Sequence, residues 1–364
     1  MTAICYAPTT HFELPPGRTA AEPPEHRGLS RDGVRLLVAG GNDSQHARFH
    51  ELPRFLTPGD LVVVNTSQTV AAEISGVAED GWPVVLHLAS GLDDGSWVAE
   101  LRTAPDAAAP ILTARPGEIF RFGDDGALQI TLLEPYPAAT EHTKQSPTGH
   151  GHRLWRVELE ATLPVTEYLA WNGRPISYGY LARRWPLSDY QTIFGIHPGS
   201  AEMPSAGRPF TTELVTSLVS NGIEIAPIML HTGVSSQDAG EGPQPERFSV
   251  PAATARLVND TRRAGGRVIA VGTTVTRALE SAADPAGVLH PRSGWTELVL
   301  GPQHPVQVVS GLITGLHNPD ASHLLLVESV AGADLTQRAY DDAVRLPYLW
   351  HEFGDSCLLL PELG

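Results

Sequence analysis

Along the chain the rhythm of apolar positions changes twice. After Leu52-Pro53 and a Pro58-Gly59-Asp60 turn comes the unbroken run Leu61-Val62-Val63-Val64. A short continuous apolar run after a turn predicts a buried strand. Between about 75 and 160 the pattern becomes short alternation. It recurs in Val84-Val85-Leu86-His87-Leu88, Trp97-Val98-Ala99-Glu100-Leu101, Glu118-Ile119-Phe120-Arg121-Phe122, Leu128-Gln129-Ile130-Thr131-Leu132 and Leu154-Trp155-Arg156-Val157-Glu158-Leu159. Turns such as Gly123-Asp124-Asp125-Gly126 separate several of these runs. Regular short strands of this kind predict a small β-barrel or sandwich. Residues 138–152 interrupt it as a polar loop. Its histidines, His142, His150 and His152, read as surface residues rather than metal ligands.

From about 161 helical and strand patterns alternate. Thr211 to Asn221 predicts a helix capped by Thr211 or Thr212 and ended by Asn221-Gly222. Ile223 to Leu230 predicts a strand. Ala252 to Ala264 predicts a helix closed by Gly265-Gly266, and Arg267 to Val271 a strand. A helical stretch follows over Thr276–Ala283, strands over Val306–Ile313 and Leu324–Val327, and a last helix begins at Tyr340. Such alternation predicts an α/β domain with ligands at the strand ends. The expected organisation is an α/β body formed by residues 1–74 and 161–364, with 75–160 inserted as a β-rich domain. Residues 15–33, rich in Pro, Gly and charge, read as an extended entry segment.

Length and composition fit that picture. The chain has 364 residues, 41% of them hydrophobic and 18% charged, enough to bury a core over one large domain or two. It contains no run of 18 apolar residues and no signal-peptide pattern at its start, so a cytoplasmic protein away from membranes is expected. Cys5 and Cys357 read as two free thiols in a reducing compartment, although a disulfide between them is possible on paper. No metal-binding spacing is present. The net charge of −16 disfavours nucleic-acid binding over the whole surface but leaves room for a local basic groove. Lys144 is the single lysine, and the other basic residues besides histidine are arginines.

Four segments could carry chemistry. Gly272-Thr273-Thr274-Val275-Thr276-Arg277-Ala278-Leu279-Glu280-Ser281 follows an apolar strand and opens a helix. Its first N–H groups and hydroxyls suit an anionic or electron-rich ligand. Arg277 and Glu280 lie on one helix face. Leu230-His231-Thr232-Gly233 and Ile313-Thr314-Gly315-Leu316-His317-Asn318-Pro319 each place a histidine at a strand end, where it can act as general acid or base. Tyr190-Gln191-Thr192 precedes Ala206-Gly207-Arg208-Pro209-Phe210-Thr211, in which Gly207 permits close backbone approach before a helix. Dinucleotide, P-loop and α/β-hydrolase signatures are absent.

In this order the segments resemble the S-adenosylmethionine:tRNA ribosyltransferase-isomerases of queuosine biosynthesis, the QueA family. Leu56-Thr57-Pro58-Gly59-Asp60-Leu61 through Asn65 resembles the early strand motif. Tyr190-Gln191-Thr192, Ala206-Gly207 with Phe210, and Leu230-His231-Thr232-Gly233 resemble YQT, AGLHF and LHVG. Arg267 to Thr274 with Arg277 and Leu279-Glu280-Ser281 resembles RVIAVGTTSVRxLES. Gly294-Trp295-Thr296, Leu316-His317-Asn318-Pro319, Ala339-Tyr340 and Phe353-Gly354-Asp355 complete the series. The resemblance implies an α/β barrel-like domain with an inserted small β-barrel. It also implies S-adenosylmethionine as a ribosyl-donating substrate rather than a cofactor. The ribosyl portion passes to 7-aminomethyl-7-deazaguanine in tRNA and is isomerised to epoxyqueuosine, with adenine and methionine leaving. The implied catalytic residues are His231 and His317. The implied substrate contacts are Asn65, Tyr190, Gln191, Thr192, Gly207, Phe210, Gly233, Gly272, Thr273, Thr274, Arg277, Glu280 and Thr296. The implied partners are S-adenosylmethionine and tRNA, acting on a monomer or weak homo-oligomer.

The chain departs from the family pattern at several positions. Gln68 and Glu73 stand where arginines are expected. Pro209 replaces the AGLHF histidine and follows Arg208 in place of leucine. Ser235-Ser236-Gln237-Asp238 replaces GTFxPV, and Gln244 replaces the HSE histidine while Glu246 stays. Losing two cations and gaining a carboxylate weakens contact with phosphate. Two alternatives therefore stand beside the tRNA-modifying reading. One is a divergent paralogue that acts on S-adenosylmethionine with a small-molecule acceptor. The other is a non-catalytic relative. Arg174, Arg183, Arg184 and Arg208 are the candidates for a replacement basic patch.

Overall fold

The computed structural model describes residues 7–41, 43–123, 126–137, 152–235, 243–301, 304–319 and 321–361. The chain opens with β1 (Arg35–Gly40) and β2 (Asp43–Arg48), then enters the core as β3 (Leu61–Asn65) and turns into the short β4 (Ser67–Thr69). Six strands follow: β5 (Glu73–Ala78), β6 (Pro83–Gly91), β7 (Trp97–Thr103), β8 (Ile119–Phe122), β9 (Leu128–Pro135) and β10 (Leu154–Ala161). After α1 (Val165–Asn172) come β11 (His197–Ser200), α2 (Thr212–Ser220), β12 (Glu224–Leu230), β13 (Glu246–Val250) and α3 (Ala252–Arg263). The chain ends through β14 (Val268–Val271), α4 (Thr273–Ala282), β15 (Arg292–Thr296), β16 (Gly311–Gly315), α5 (His323–Ala331), α6 (Ala333–Arg345) and β17 (Ser356–Leu360).

Nine strands form the main sheet, in the order β15-β13-β12-β3-β14-β16-β17-β1-β2. Its centre, β12-β3-β14-β16, is parallel, so the carboxyl ends of these four strands share one edge. Both faces are covered, which explains the unbroken apolar run of β3. Leu61 and Val63 face the core with Val268, Ala270, Leu312 and the inner sides of α3 to α6. Val62 and Val64 face the other core, with Ile269, Val271, Ile313, Phe210 and α2 residues Leu214 and Leu218. Alternate residues of a strand point to opposite faces, so one continuous run fills two cores.

The strands β5 to β10 close into a barrel in the order β10-β7-β6-β5-β8-β9. The alternating runs seen in the sequence make five of its strands, and β5 closes it. The barrel leaves the body at β4, beside the carboxyl edge of the sheet. Its entry and exit are tied where Glu73 and Arg174 exchange backbone hydrogen bonds of 2.9 and 2.8 Å. The Glu73 carboxylate also accepts from Arg174 (2.6 Å), Arg184 (2.5 Å) and buried His87 (3.0 Å). Burial alone would raise its pKa, but the hydrogen bond from His87 and the neighbouring cations hold it down at about 2.

Several expected elements differ. Leu324–Val327, read as a strand, lies inside α5, whose Leu324, Leu325, Leu326, Val327 and Val330 are all buried. A helix buried on every side has no polar stripe, so its apolar run looks like a strand. The strand expected over Val306–Ile313 begins only at Gly311, because the N–H groups of Gln307, Val308 and Val309 are bound by the Glu280 carboxylate at 2.7, 3.0 and 2.9 Å. Helix α4 starts at Thr273 rather than Thr276, directly after Gly272, and α6 starts at Ala333 after Gly332 rather than at Tyr340. Thr211 is the cap of α2, its hydroxyl accepting from the Leu214 N–H at 3.1 Å. Cys357 is buried in β17 as a free thiol, while Cys5, His142 and His150 lie outside the described residues. No helix among the described residues is long and apolar enough to cross a membrane.

Candidate active site

The carboxyl edge of the parallel strands gathers the motifs. Asn65 ends β3, His231 follows β12, Gly272 follows β14, and His317 lies two residues past β16. Asn65 is buried and stitches this edge together. Its Nδ2 donates to the Leu230 carbonyl (2.8 Å) and to Thr274 Oγ1 (3.3 Å), while its Oδ1 accepts from the N–H groups of Leu230 and Ser67, both at 3.0 Å. One side chain thus joins β3, β12 and the first turn of α4.

Gly272 stands at φ 91°, ψ 163°, a conformation essentially confined to glycine. A Cβ there would also lie 3.2 Å from Ala206 Cβ. The turn Ser205–Gly207 therefore packs on the strand-to-helix corner, which brings the AG segment onto the GTT segment. Gly207 faces Thr192, so the YQT segment joins the same layer. The Gln191 side chain donates to the Thr69 carbonyl at 2.8 Å and accepts from its N–H at 3.3 Å, and Thr69 Oγ1 donates to the Tyr190 carbonyl at 2.8 Å. Tyr190 is buried against Phe353, and Phe210 is fully buried between Phe49 and Phe194.

Arg277 is buried and its donors are committed. It pairs with Glu246 and donates to the carbonyls of Leu298 (3.1 Å), Gln244 (3.1 Å) and Thr296 (3.2 Å). Thr296 Oγ1 meets Ser281 Oγ at 2.5 Å, closing the link from α4 to β15. Glu246 Oε1 accepts from the Gly233 N–H at 3.4 Å, and burial raises the pKa of this carboxyl despite Arg277. Although Arg277 and Glu280 sit on one helix, they serve different neighbours, Glu280 holding the loop before β16 as described above.

The two histidines are held differently. His231 Nδ1 lies 2.7 Å from Ser67 Oγ, which lies 2.6 Å from Ser200 Oγ. Burial, with help from Arg247 and His197, lowers its pKa to about 4. His317 Nε2 lies 3.0 Å from Thr314 Oγ1. Its N–H donates to the Tyr340 hydroxyl at 3.1 Å, and its carbonyl accepts from Trp350 Nε1 at 3.0 Å. Its ring stacks on His323, centroids 4.9 Å apart and planes 4° apart. Burial, then His323 and His351, drives its pKa well below the usual value. Both imidazoles are therefore neutral at neutral pH. They follow strands separated by β3 and β14, so about 14 Å of sheet edge lies between them. At that separation they cannot share one proton.

Sequence reasoning missed a second group beside this edge. Tyr180 OH donates to Glu352 and Tyr178 OH to Glu202, with Tyr180 stacked on His351 at 4.2 Å and 16°. His351 holds φ 73°, rare for a residue with a side chain. Burial, with Glu202 nearby, pushes the Glu352 carboxyl up to about 7. Only the departure from helical pattern before Phe353-Gly354-Asp355 could have marked these residues. Of the candidate basic patch, Arg174 and Arg184 are bound to Glu73. Arg208 is buried, bound to Glu25 (3.0 Å) and the Asp189 carbonyl (2.8 Å), and Arg183 lies over the Trp185 ring at 4.1 Å.

A parallel-stranded edge with a glycine corner, a helix N-terminus and neutral histidines is the place in an α/β fold where ligands are commonly bound. The sequence pattern of the queuosine biosynthesis protein family matches residues 8–359, and the chain belongs to that family, a family of enzymes. Proteins named S-adenosylmethionine:tRNA ribosyltransferase-isomerase are similar over nearly full length. That of Synechococcus elongatus is 35% identical, covering 96% of this chain and 95% of its own. That of Moorella thermoacetica is 34% identical, covering 96% and 98%. The crystal structure of an S-adenosylmethionine tRNA ribosyltransferase from Thermotoga maritima is 28% identical, covers 96% of this chain and 99% of its own, and gives a TM-score of 0.50.

Proposed function

We propose that this chain uses S-adenosylmethionine as a ribosyl donor. It transfers the ribosyl portion to 7-aminomethyl-7-deazaguanine in tRNA and isomerises it to epoxyqueuosine, releasing adenine and methionine. The observation that carries this reading is the convergence of the Asn65, His231, Gly272-Thr273-Thr274 and His317 segments on one edge, in a chain similar over its length to enzymes of that name. S-adenosylmethionine would lie against the first turn of α4, where N–H groups and two threonine hydroxyls meet electron-rich atoms. Tyr190, Gln191, Thr192, Gly207 and Gly233 would shape the walls, and Phe210, fully buried, would support them from the core. Arg277, Glu280 and Thr296 would hold the site from behind. His231 and His317 would act on the reacting atoms at its two ends. The same reading divides the chain into the α/β body and the inserted 75–160 barrel, which would close over the ligand.

The acidic balance and the committed arginines favour one second reading, a small-molecule acceptor in place of tRNA. Incubation with S-adenosylmethionine, with and without unmodified substrate tRNA, separates the two. Release of adenine and methionine that requires tRNA supports the first. Release that ignores tRNA supports the second, and no release under either condition overturns both.

A further inference from the structure

The hydroxyls behind His231 form a chain whose direction can be worked out. The Thr232 N–H donates to Ser200 Oγ at 3.0 Å. Ser200 Oγ and Ser67 Oγ are 2.6 Å apart, and Ser67 Oγ is 2.7 Å from His231 Nδ1. Both serine side chains are buried, Ser200 fully. A hydroxyl has one hydrogen to give, and a buried one is normally given.

Two directions are conceivable. If His231 Nδ1 carried the proton, it would donate to Ser67, and Ser67 to Ser200. Ser200 would then accept twice, and its own hydrogen would find no acceptor among the described residues. In the opposite direction Ser200 donates to Ser67 and Ser67 donates to Nδ1. Every hydrogen then has a partner. The Thr232 N–H donates to Ser200 Oγ in either direction, so the sense is decided by the hydroxyl hydrogens, and only the second direction leaves none of them unpaired.

The ring is also clamped. A Cβ on Gly199 would lie 2.6 to 2.8 Å from three ring atoms, so β11 passes flat against the imidazole and only glycine fits there. Nε2 has no hydrogen-bond partner among the described residues. Arg247 from β13 and His197 from β11 are the charged or titratable groups that bear on the ring.

We propose that Ser67 and Ser200 are positioning residues that hold His231 in the Nε2–H tautomer, so that this histidine meets its ligand as a hydrogen-bond donor rather than as a base. This deepens, and rests on, the placement of His231 in the site proposed above. The Nε2–H would donate its hydrogen bond to a developing negative charge or an electron-rich atom of the substrate, with no net proton leaving the ring.

The first test needs no substrate. In protein labelled with 15N-histidine, the His231 signals, assigned by their loss in His231→Gln, should show Nδ1 bare and Nε2 protonated. A protonated Nδ1 overturns the proposal. Second, Ser67→Ala should abolish the tautomer preference and lower kcat on the order of 10- to 100-fold with little change in KM, and Ser67→Thr should restore both. A folded Ser67→Ala protein that keeps the wild-type tautomer overturns it. If the wild-type protein releases no adenine, the proposed function fails while the tautomer measurement still decides this inference.

Discussion

Arg277 and Glu246 form a buried ion pair that ties the first turns of α4 to β13. The guanidinium spends its remaining donors on three backbone carbonyls from two neighbouring segments. An arginine so committed is expected to support the proposed ligand site rather than to touch the ligand. Arg277→Ala would leave Glu246 buried and unpaired, so the variant should lose about 3–5 kcal/mol of stability. Chemical denaturation checks this. A folded variant of wild-type stability that binds S-adenosylmethionine more weakly would instead return Arg277 to the ligand.

Gly272 is the corner on which the site turns. Gly272→Ala places a side chain at φ 91° and against Ala206. Strain of this kind costs about 1–3 kcal/mol. The variant should melt lower than wild type, and calorimetry should show weakened S-adenosylmethionine binding, because the α4 N-terminus shifts. Unchanged affinity would place the ligand elsewhere.

Glu352 gives the protein a pH-dependent weakness. Its folded pKa is about 7 against an ordinary 4.5, raised first by burial and then by Glu202, with Tyr180 donating to it. Between those values the folded state binds a proton that the unfolded state has released. Stability therefore falls as pH rises from about 4.5 to 7, by up to about 3 kcal/mol from this group. Melting curves of wild type and Glu352→Gln across that range should differ in slope, the variant being flatter. Parallel curves would refute the assignment.

Of the four arginines that could meet a tRNA backbone, three are bound to carboxylates. Arg183 has no carboxylate partner among the described residues and stacks on Trp185. Filter binding against substrate tRNA at several salt concentrations should show Arg183→Ala flattening the salt dependence by about 1, one lost phosphate contact. Arg208→Ala should leave the slope alone and lower the melting temperature. A flattened slope in Arg208→Ala would mean that Glu25 yields this arginine to phosphate.

The periodicity of the chain was enough to read its architecture, because burial leaves a mark on every second or every third to fourth residue. The double-sided run Leu61-Val62-Val63-Val64 and the alternating runs between Val84 and Leu159 each appear as the strands they suggest. The motif order was equally legible, since His231, Gly272 and His317 each follow a strand within a few residues. What periodicity could not carry was anything decided by partners far along the chain. Leu324–Val327 is helical because the core surrounds it on every side. Val306 to Ser310 is loop because a carboxylate from α4 takes its N–H groups. Glu73, a lost arginine in sequence, becomes a buried anchor once Arg174, Arg184 and His87 converge on it. Arg277 reads as a substrate contact until Glu246 appears beside it, and Ser67 and Ser200 read as nothing until the fold sets them in line behind His231. Local pattern records which side of an element is dry. Only tertiary packing decides which polar groups find each other, because that depends on distances between residues on different elements, from 14 positions apart for Glu73 and His87 to 164 for Ser67 and His231.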